Sequence, residues 1–388
     1  MEKIRVLQIS KYYHPFIGGT EQVARDIANA LRQYNIQQKI ICFNEDSSSD
    51  GVISHRKETV SEQVDGVEVI RCGCFAKVAS QGLSMTFGRE LDRLMNEFKP
   101  NVVILHYPNP FATHYLLKYR NRDFRLYVYW HLDITKQKHL KRLFVRQNIT
   151  LISRATKILG ATPFHLNNSE FSNQFGSKKY LLPYAIDERN LMITDEEVKE
   201  AESICGRYEG KTICFFIGRH VPYKGIEYLI DSSALIQDNH IVFIIAGSGE
   251  LTESLEKKAQ NDKKVVFIGQ ITNSQKRAYM YACDIFCFPS ITRNEGFGLA
   301  LAEGMYYGKP AVTYHIDGSG VNYVNLNGVT GIECPNRDVQ AYANAIERLS
   351  DDRELRIQMG KAAHQRVIDN FTQQKFASNL YQLITNNE

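Results

Sequence analysis

Glu295 and Glu303 stand eight positions apart in the segment Asn294-Glu295-Gly296-Phe297-Gly298-Leu299-Ala300-Leu301-Ala302-Glu303. An apolar run over 285–288 and the turn pair Pro289-Ser290 precede it, so it reads as a loop opening a helix. The first turn of any helix leaves backbone NH groups unpaired, and the helix dipole adds partial positive charge there. With glycines allowing close approach, such an entrance suits an anion, most naturally a phosphate. A Gly-rich loop before an amphipathic helix is also ordinary in α/β proteins, so this segment alone does not decide the matter. A second segment adds to it. Gly218-Arg219-His220-Val221-Pro222-Tyr223-Lys224-Gly225 follows an apolar run over 212–217, precedes another predicted helix, and carries two cations five apart. Two strand-end loops are thus built for anions.

The elements that must hold these loops alternate along the chain. Strands are expected over 5–10, 39–43, 67–71, 101–105 and 125–129, with helices near 20–33, 111–119 and 136–149. Thr20 is placed to cap the first helix and Glu21 to favour its dipole. The stretch 44–51 is polar and turn-rich, which predicts a loop. After 181–187 the pattern lapses into a Glu-rich stretch and then restarts with strands at 212–217, 241–246, 265–268, 285–288 and 311–313. This alternation predicts an α/β protein of two Rossmann-like domains with parallel sheets. A length of 388 residues agrees with two domains.

These segments resemble the retaining glycosyltransferases of family 4, which have the two-domain GT-B fold. The resemblance rests on Glu295 and Glu303 with seven residues between them, on Arg219 and Lys224, and on Gly18-Gly19-Thr20-Glu21 after the first strand. It spans nearly the whole chain. It implies a first domain over 1–184, a second over 185–371, and a final helix, 372–388, crossing back to the first; apolar residues at Phe376, Leu380, Leu383 and Ile384 have helical spacing.

The same resemblance implies roles. Arg219, Lys224, Glu295 and His131 are the expected catalytic group, the cations balancing charge on the leaving diphosphate, Glu295 contacting the sugar, and His131, in Trp130-His131-Leu132-Asp133, touching the donor sugar near the reacting centre. Donor binding is expected from Gly18, Gly19, Gly218, Gly247, Gly249, Ile271, from the backbone of Phe297, Gly298 and Leu299, and from Glu303, about two turns into its helix, on the ribose. His106 and Asn109, at another strand end, are candidates for acceptor or donor contact. No carboxylate stands out as a nucleophile for double displacement, and the resemblance implies same-face attack with the donor phosphate receiving the acceptor proton, without cofactor or metal. Expected partners are a nucleotide sugar and a polyprenyl-diphosphate-linked saccharide in bacterial surface-polysaccharide assembly. GDP-mannose is favoured as donor, with a UDP-N-acetylhexosamine as the alternative.

Composition bounds the rest. At 43% hydrophobic and 23% charged the chain is of globular type, and no apolar run reaches the roughly 20 residues of a membrane span. The eight cysteines lack paired zinc-type spacing, which predicts reduced structural thiols. The start lacks a signal-peptide pattern, so a cytoplasmic protein is expected. Net charge is +4, yet residues 76–160 hold 15 Lys or Arg against 5 Asp or Glu. Lys136, Lys138, Lys141, Arg142 and Arg146 fall on one predicted helix with Leu140, Leu143, Phe144 and Ile149. That mixture predicts a peripheral surface for anionic lipid on the inner face of the plasma membrane, the alternative being an apolar core face with solvated cations. Phosphorylase or epimerase chemistry would call for a pyridoxal-binding lysine or another acid-base set. A nucleic-acid-binding protein is the remaining alternative class, but it leaves the Glu pair unexplained, and no nucleic-acid partner is expected.

Overall fold

The structure, a computed structural model, describes residues 3–16, 19–47, 53–78, 81–134 and 138–386; the side chains of 46–47, 53–55 and 138–143 lie outside the described residues. The chain forms two compact units, Met1–Pro183 with Phe376–Glu388, and Tyr184–Lys375.

The first unit is built, among the described residues, on an eight-stranded sheet. Its strands are β1 (Arg5–Ile9), β2 (Gln37–Phe43), β3 (Val60–Val64), β4 (Val67–Cys72), β5 (Val102–Tyr107), β6 (Arg125–Trp130), β7 (Lys157–Gly160) and β8 (Lys179–Leu181). They lie in the order β8-β7-β6-β5-β1-β2-β4-β3, parallel except for the β3–β4 pair. The chain builds outward from β1 on one side, then returns to place β5 on the other. Open α/β sheets bind ligands at the carboxyl ends of the strands flanking such a reversal. Strand β5 is buried along its whole length, as a central parallel strand covered on both faces must be. Leu7 and Ile9 of β1 join the main apolar cluster with Val103 and Leu105 of β5. Gln8 and His106 are the buried polar side chains of the same two strands.

The final helix, Gln373–Thr385, crosses the boundary as the resemblance implies, and its residues from Phe376 onward group with the first unit. Tyr381 stacks on Tyr34 with ring centroids 4.1 Å apart, and the Tyr127 hydroxyl donates to the Leu383 carbonyl at 3.0 Å.

Six strands form the second unit's sheet: β9 (Thr212–Ile217), β10 (Ile241–Ala246), β11 (Val265–Gly269), β12 (Ile285–Phe288), β13 (Ala311–Tyr314) and β14 (Gly331–Cys334). All are parallel, in the order β11-β10-β9-β12-β13-β14, so the reversal falls between β9 and β12. Both units are therefore Rossmann-like.

Three local expectations need correction. The first helix begins at Gly19, which puts Thr20 inside its first turn instead of at its cap. Within 44–51, Glu45–Ser47 is a strand paired antiparallel with Ile53–His55, because Glu45 is buried and carries the segment inward. The helix bearing Glu303 starts only at Leu299, since Gly298 takes the left-handed conformation at its cap; Glu303 therefore sits just over one turn into the helix, not two.

Candidate functional site

In the second unit the loops leaving β9 and β12 are knitted together at the reversal. Gly225 has φ +64°, and a Cβ there would lie 2.1 Å from the Pro289 carbonyl oxygen. Only glycine lets the chain pass so close. The Ile291 amide donates to the Tyr223 carbonyl at 3.0 Å, fixing the two loops side by side. The result is an ion pair between Lys224 Nζ and Glu295 Oε2, whose side chains are only 12% and 13% exposed. Ser290 Oγ donates to the same carboxylate oxygen at 3.2 Å, and Ser319 Oγ donates to the Glu295 backbone carbonyl. Glu295 is thus engaged by a cation and two hydroxyls. It does not cap the following helix.

That helix, Leu299–Tyr306, has no side-chain cap. Its first-turn NH groups have no acceptor within the helix. Gly298, at φ +89°, is held against Phe288, which a Cβ would approach to 3.2 Å. Phe297 is buried and packs edge-on against Phe371, ring centroids 5.3 Å apart. Glu303 is held by a residue the sequence reading passed over: Lys276 Nζ donates to both of its carboxylate oxygens at 3.0 Å. Lys276 stands on the helix Asn273–Ala282, which a capping box of Thr272 and Gln275 starts.

Arg219 is exposed and donates to the Tyr223 hydroxyl at 3.3 Å. Gly218, Gly247 and Gly249 have a structural purpose beside any ligand contact. A Cβ on Gly247, at φ +117°, would lie 1.9 Å from the Gly218 carbonyl oxygen, and one on Gly249 would lie 2.5 Å from that of His220. Hydrogen bonds from His220 NH to the Ser248 carbonyl (2.9 Å) and from Gly247 NH to the Gly269 carbonyl (2.8 Å) extend this join to the loop of Ile271, a half-buried residue. A cavity of about 570 Å³ beside the Glu295 loop is lined by Thr292, Arg293, His315, Asp317, Glu333 and Asn336 among others, and hydrogen bonding to Glu333 raises the His315 pKa above its ordinary value.

In the first unit, His106 on β5 and His131 just past β6 meet at the sheet reversal. His106 Nδ1 and His131 Nε2 are 3.0 Å apart, and His106 Nε2 lies 3.2 Å from Gln8 Oε1 on β1. The two ring planes are nearly parallel, 5° apart, and Tyr129 stacks on both. Burial pushes the His106 pKa down to about 3 and that of His131 well below 6.5, so both rings are neutral at physiological pH. Asn109 is fully buried and caps the helix Pro110–Leu116, its Oδ1 accepting from the Ala112 NH at 3.3 Å. Asp133 is tied to Trp130 Nε1, Ser169 Oγ and the Glu170 NH at 2.7, 2.8 and 2.9 Å. Gly19 opens the first helix, and a Cβ there would meet nothing within 4 Å. Gly18 lies outside the described residues.

The basic helix runs over Lys138–Arg154. Lys136 and the side chains of Lys138, Lys141 and Arg142 lie outside the described residues; Arg146 is exposed and Ile149 is 44% exposed. Val145, Leu151 and Ile152 pack on the core cluster, so at least part of the apolar face is interior. Among the described residues no helix is long and apolar enough to cross a membrane, and no three His, Cys, Asp or Glu side chains converge as a metal site. Of the cysteines, all but Cys205 are buried, and each is a free thiol.

Known protein families match the chain over most of its length. Residues 18–169 match the model for a glycosyl transferase 4-like domain, and 198–366 that for glycosyl transferases group 1. The chain is 25% identical over 372 residues to O-antigen chain mannosyltransferase C of Escherichia coli, covering 95% of each. It is 26% identical over 377 residues to the D-rhamnosyltransferase WbpZ of Pseudomonas aeruginosa, covering 95% of this chain and 92% of that one. Among solved structures, HepE of Anabaena in complex with UDP superposes with a TM-score of 0.75 at 17% identity, covering 98% of this chain and 100% of the other. That likeness establishes the shared GT-B fold.

Proposed function

The chain belongs to the group 1, GT4-like glycosyltransferases, and from that premise we propose that it moves a hexose, with retention, from a nucleotide-diphosphate sugar to a lipid-linked saccharide in surface-polysaccharide assembly. The observation that carries this reading is the join at the β9–β12 reversal, where Lys224, Glu295 and the uncapped helix at Gly298 share one loop system. Arg219 and Lys224 stabilise charge on the leaving diphosphate, and the NH groups of 297–299 receive phosphate or sugar. Glu295 addresses the sugar hydroxyls and Glu303 those of the ribose. His131 contacts the donor sugar as a neutral ring, Gly18 and Gly19 allow phosphate to approach, and Gly218, Gly247, Gly249 and Ile271 shape the nucleotide side. The donor phosphate takes the acceptor proton, and no metal enters the reading.

GDP-mannose is the favoured donor, supported by the mannosyl- and rhamnosyltransferase relatives. A UDP-sugar is the alternative, for which HepE with UDP is the relevant neighbour. Thermal shift against UDP and GDP separates them, since a ligand that binds the native state raises its apparent stability. A larger shift with UDP overturns the donor choice. The acceptor reading places the enzyme peripherally on the inner face of the plasma membrane, through Arg146 and its neighbours. Co-sedimentation with equal recovery on neutral and anionic vesicles would remove that surface.

A further inference from the structure

We propose that Gln8 and His106 are positioning residues that fix which ring nitrogen of His131 carries the proton. The inference rests on the reading of His131 as the residue that meets the donor sugar, but its geometry stands apart from that reading. Gln8, His106 and His131 come from β1, β5 and just past β6, neighbours in the sheet; Gln8 is level with Ile104 and His106 with Tyr129, so each next side chain stands two residues nearer the carboxyl ends on the same face, and the three form a diagonal row. The row is 0%, 1% and 4% exposed.

A neutral imidazole has one donor and one acceptor nitrogen, so the contacts in this row cannot be assigned independently. Gln8 Oε1 can only accept, which requires the proton of His106 on Nε2. His106 Nδ1 is then an acceptor, and the 3.0 Å contact requires His131 to donate from Nε2. His131 is left with Nδ1 as an acceptor. Were the amide of Gln8 turned over, every step would reverse and His131 would carry its proton on Nδ1. One amide orientation, two strands away, therefore sets the tautomer of the ring. Gln8 Nε2 has no partner among the described residues, so nothing else there fixes the amide against its histidine contact. The stack of Tyr129 on both rings, with its hydroxyl donating to the Leu182 carbonyl, prevents the imidazoles from rotating out of the row.

The test is long-range ¹H–¹⁵N correlation spectroscopy on the full chain with ¹⁵N-labelled histidine, applied to wild type, Gln8→Leu and Gln8→Glu. The wild type is expected to hold His131 as the Nε2–H tautomer. Gln8→Glu, which keeps an acceptor in place, should retain it, and Gln8→Leu should populate both tautomers. For Gln8→Leu we expect kcat to fall by about 10- to 100-fold, the scale on which outer partners of functional histidines act, with donor KM changed by less than about 2-fold. A His131 tautomer indifferent to Gln8→Leu, or an Nδ1–H wild type, overturns the proposal. A tautomer that shifts while transfer is unchanged upholds the relay and removes His131 from the reaction, so the two readings fail separately. If the Leu variant does not fold, the wild-type spectrum still decides, because the row of contacts requires the Nε2–H tautomer of His131 and an Nδ1–H ring overturns it.

Discussion

Replacing Lys224 separates what the Lys224–Glu295 pair does for the fold from what it does for the reaction. Both side chains are mostly buried, at 12% and 13% exposure, and Ser290 adds a hydrogen bond to the carboxylate. Two unit charges about 4 Å apart attract by about 4 kcal/mol at an effective dielectric near 20, and the loss of hydration offsets much of this. The intact pair thus contributes little net stability. Lys224→Met leaves Glu295 buried without its counter-ion, which should cost roughly 3 kcal/mol. In a unit of this size that is a fall in Tm of about 6–12 °C. Adding Glu295→Gln removes the stranded charge and should restore most of the loss.

Activity should behave differently. If Lys224 stabilises charge on the leaving diphosphate, Lys224→Met lowers kcat/KM by about 10²- to 10³-fold, the worth of one donor aimed at developing charge. The double variant cannot recover it, because the cation is still missing. The assay is thermal unfolding and donor turnover on wild type, both single variants and the double variant, treated as a cycle. Recovery of turnover together with Tm in the double variant would refute a catalytic Lys224 and leave the pair a purely structural device.

Glu303→Gln should raise donor KM about 10-fold or more with a smaller change in kcat, as loss of uniform binding does, and Lys276→Met should raise it in the same sense by freeing the carboxylate that Lys276 grips at 3.0 Å; unchanged KM in both removes Glu303 from the ribose. Gly247→Ala places a methyl 1.9 Å from the Gly218 carbonyl oxygen at φ +117°, so it should destabilise the second unit by about 2–4 kcal/mol, and a melting temperature equal to wild type contradicts the backbone join. Hydrogen bonds from Arg277 hold the Glu197 pKa at about 2 against an ordinary 4.5. A depressed carboxylate stabilises fully above its unfolded pKa and loses that contribution as pH falls through the folded value. Arg277→Met should therefore cost on the order of 1–2 kcal/mol at pH 7 once solvent screening is allowed for, and its deficit should shrink between pH 4.5 and 2; a pH-independent deficit in denaturant titrations contradicts the assignment.

The strand-end loops were legible because their signals are local. An apolar run followed by glycines and charges describes both the Arg219–Lys224 loop and the Glu295 loop without reference to anything distant. Residues that act through the fold were not. Lys276 lies 27 positions before Glu303, on a helix whose only local mark is its capping box. Gln8 is one polar residue in an apolar strand, and period-2 alternation alone would send it to solvent; the sheet is covered on both faces and buries it beside His106. The depth of Glu303 in its helix is hidden from the sequence for a different reason. The pattern showed where a helix must lie, but the conformation of Gly298 decided where it began.

Burial also explains why the two strand-end clusters differ in chemistry. In the first unit the histidines are 1% and 4% exposed, and desolvation keeps them neutral. A neutral ring can donate one hydrogen bond and accept one, which suits a hydroxyl but cannot offset a diphosphate. In the second unit Lys224 is ion-paired with Glu295 at 12% exposure, and Arg219 is out in solvent. On the proposed reading, charge neutralisation therefore falls to the β9 loop and not to the histidine row, whatever sugar is carried. The same reasoning gives Glu295 a second consequence. A carboxylate already paired with Lys224 adds little net negative charge at the mouth of the helix at Gly298, so it can address sugar hydroxyls there without repelling a phosphate.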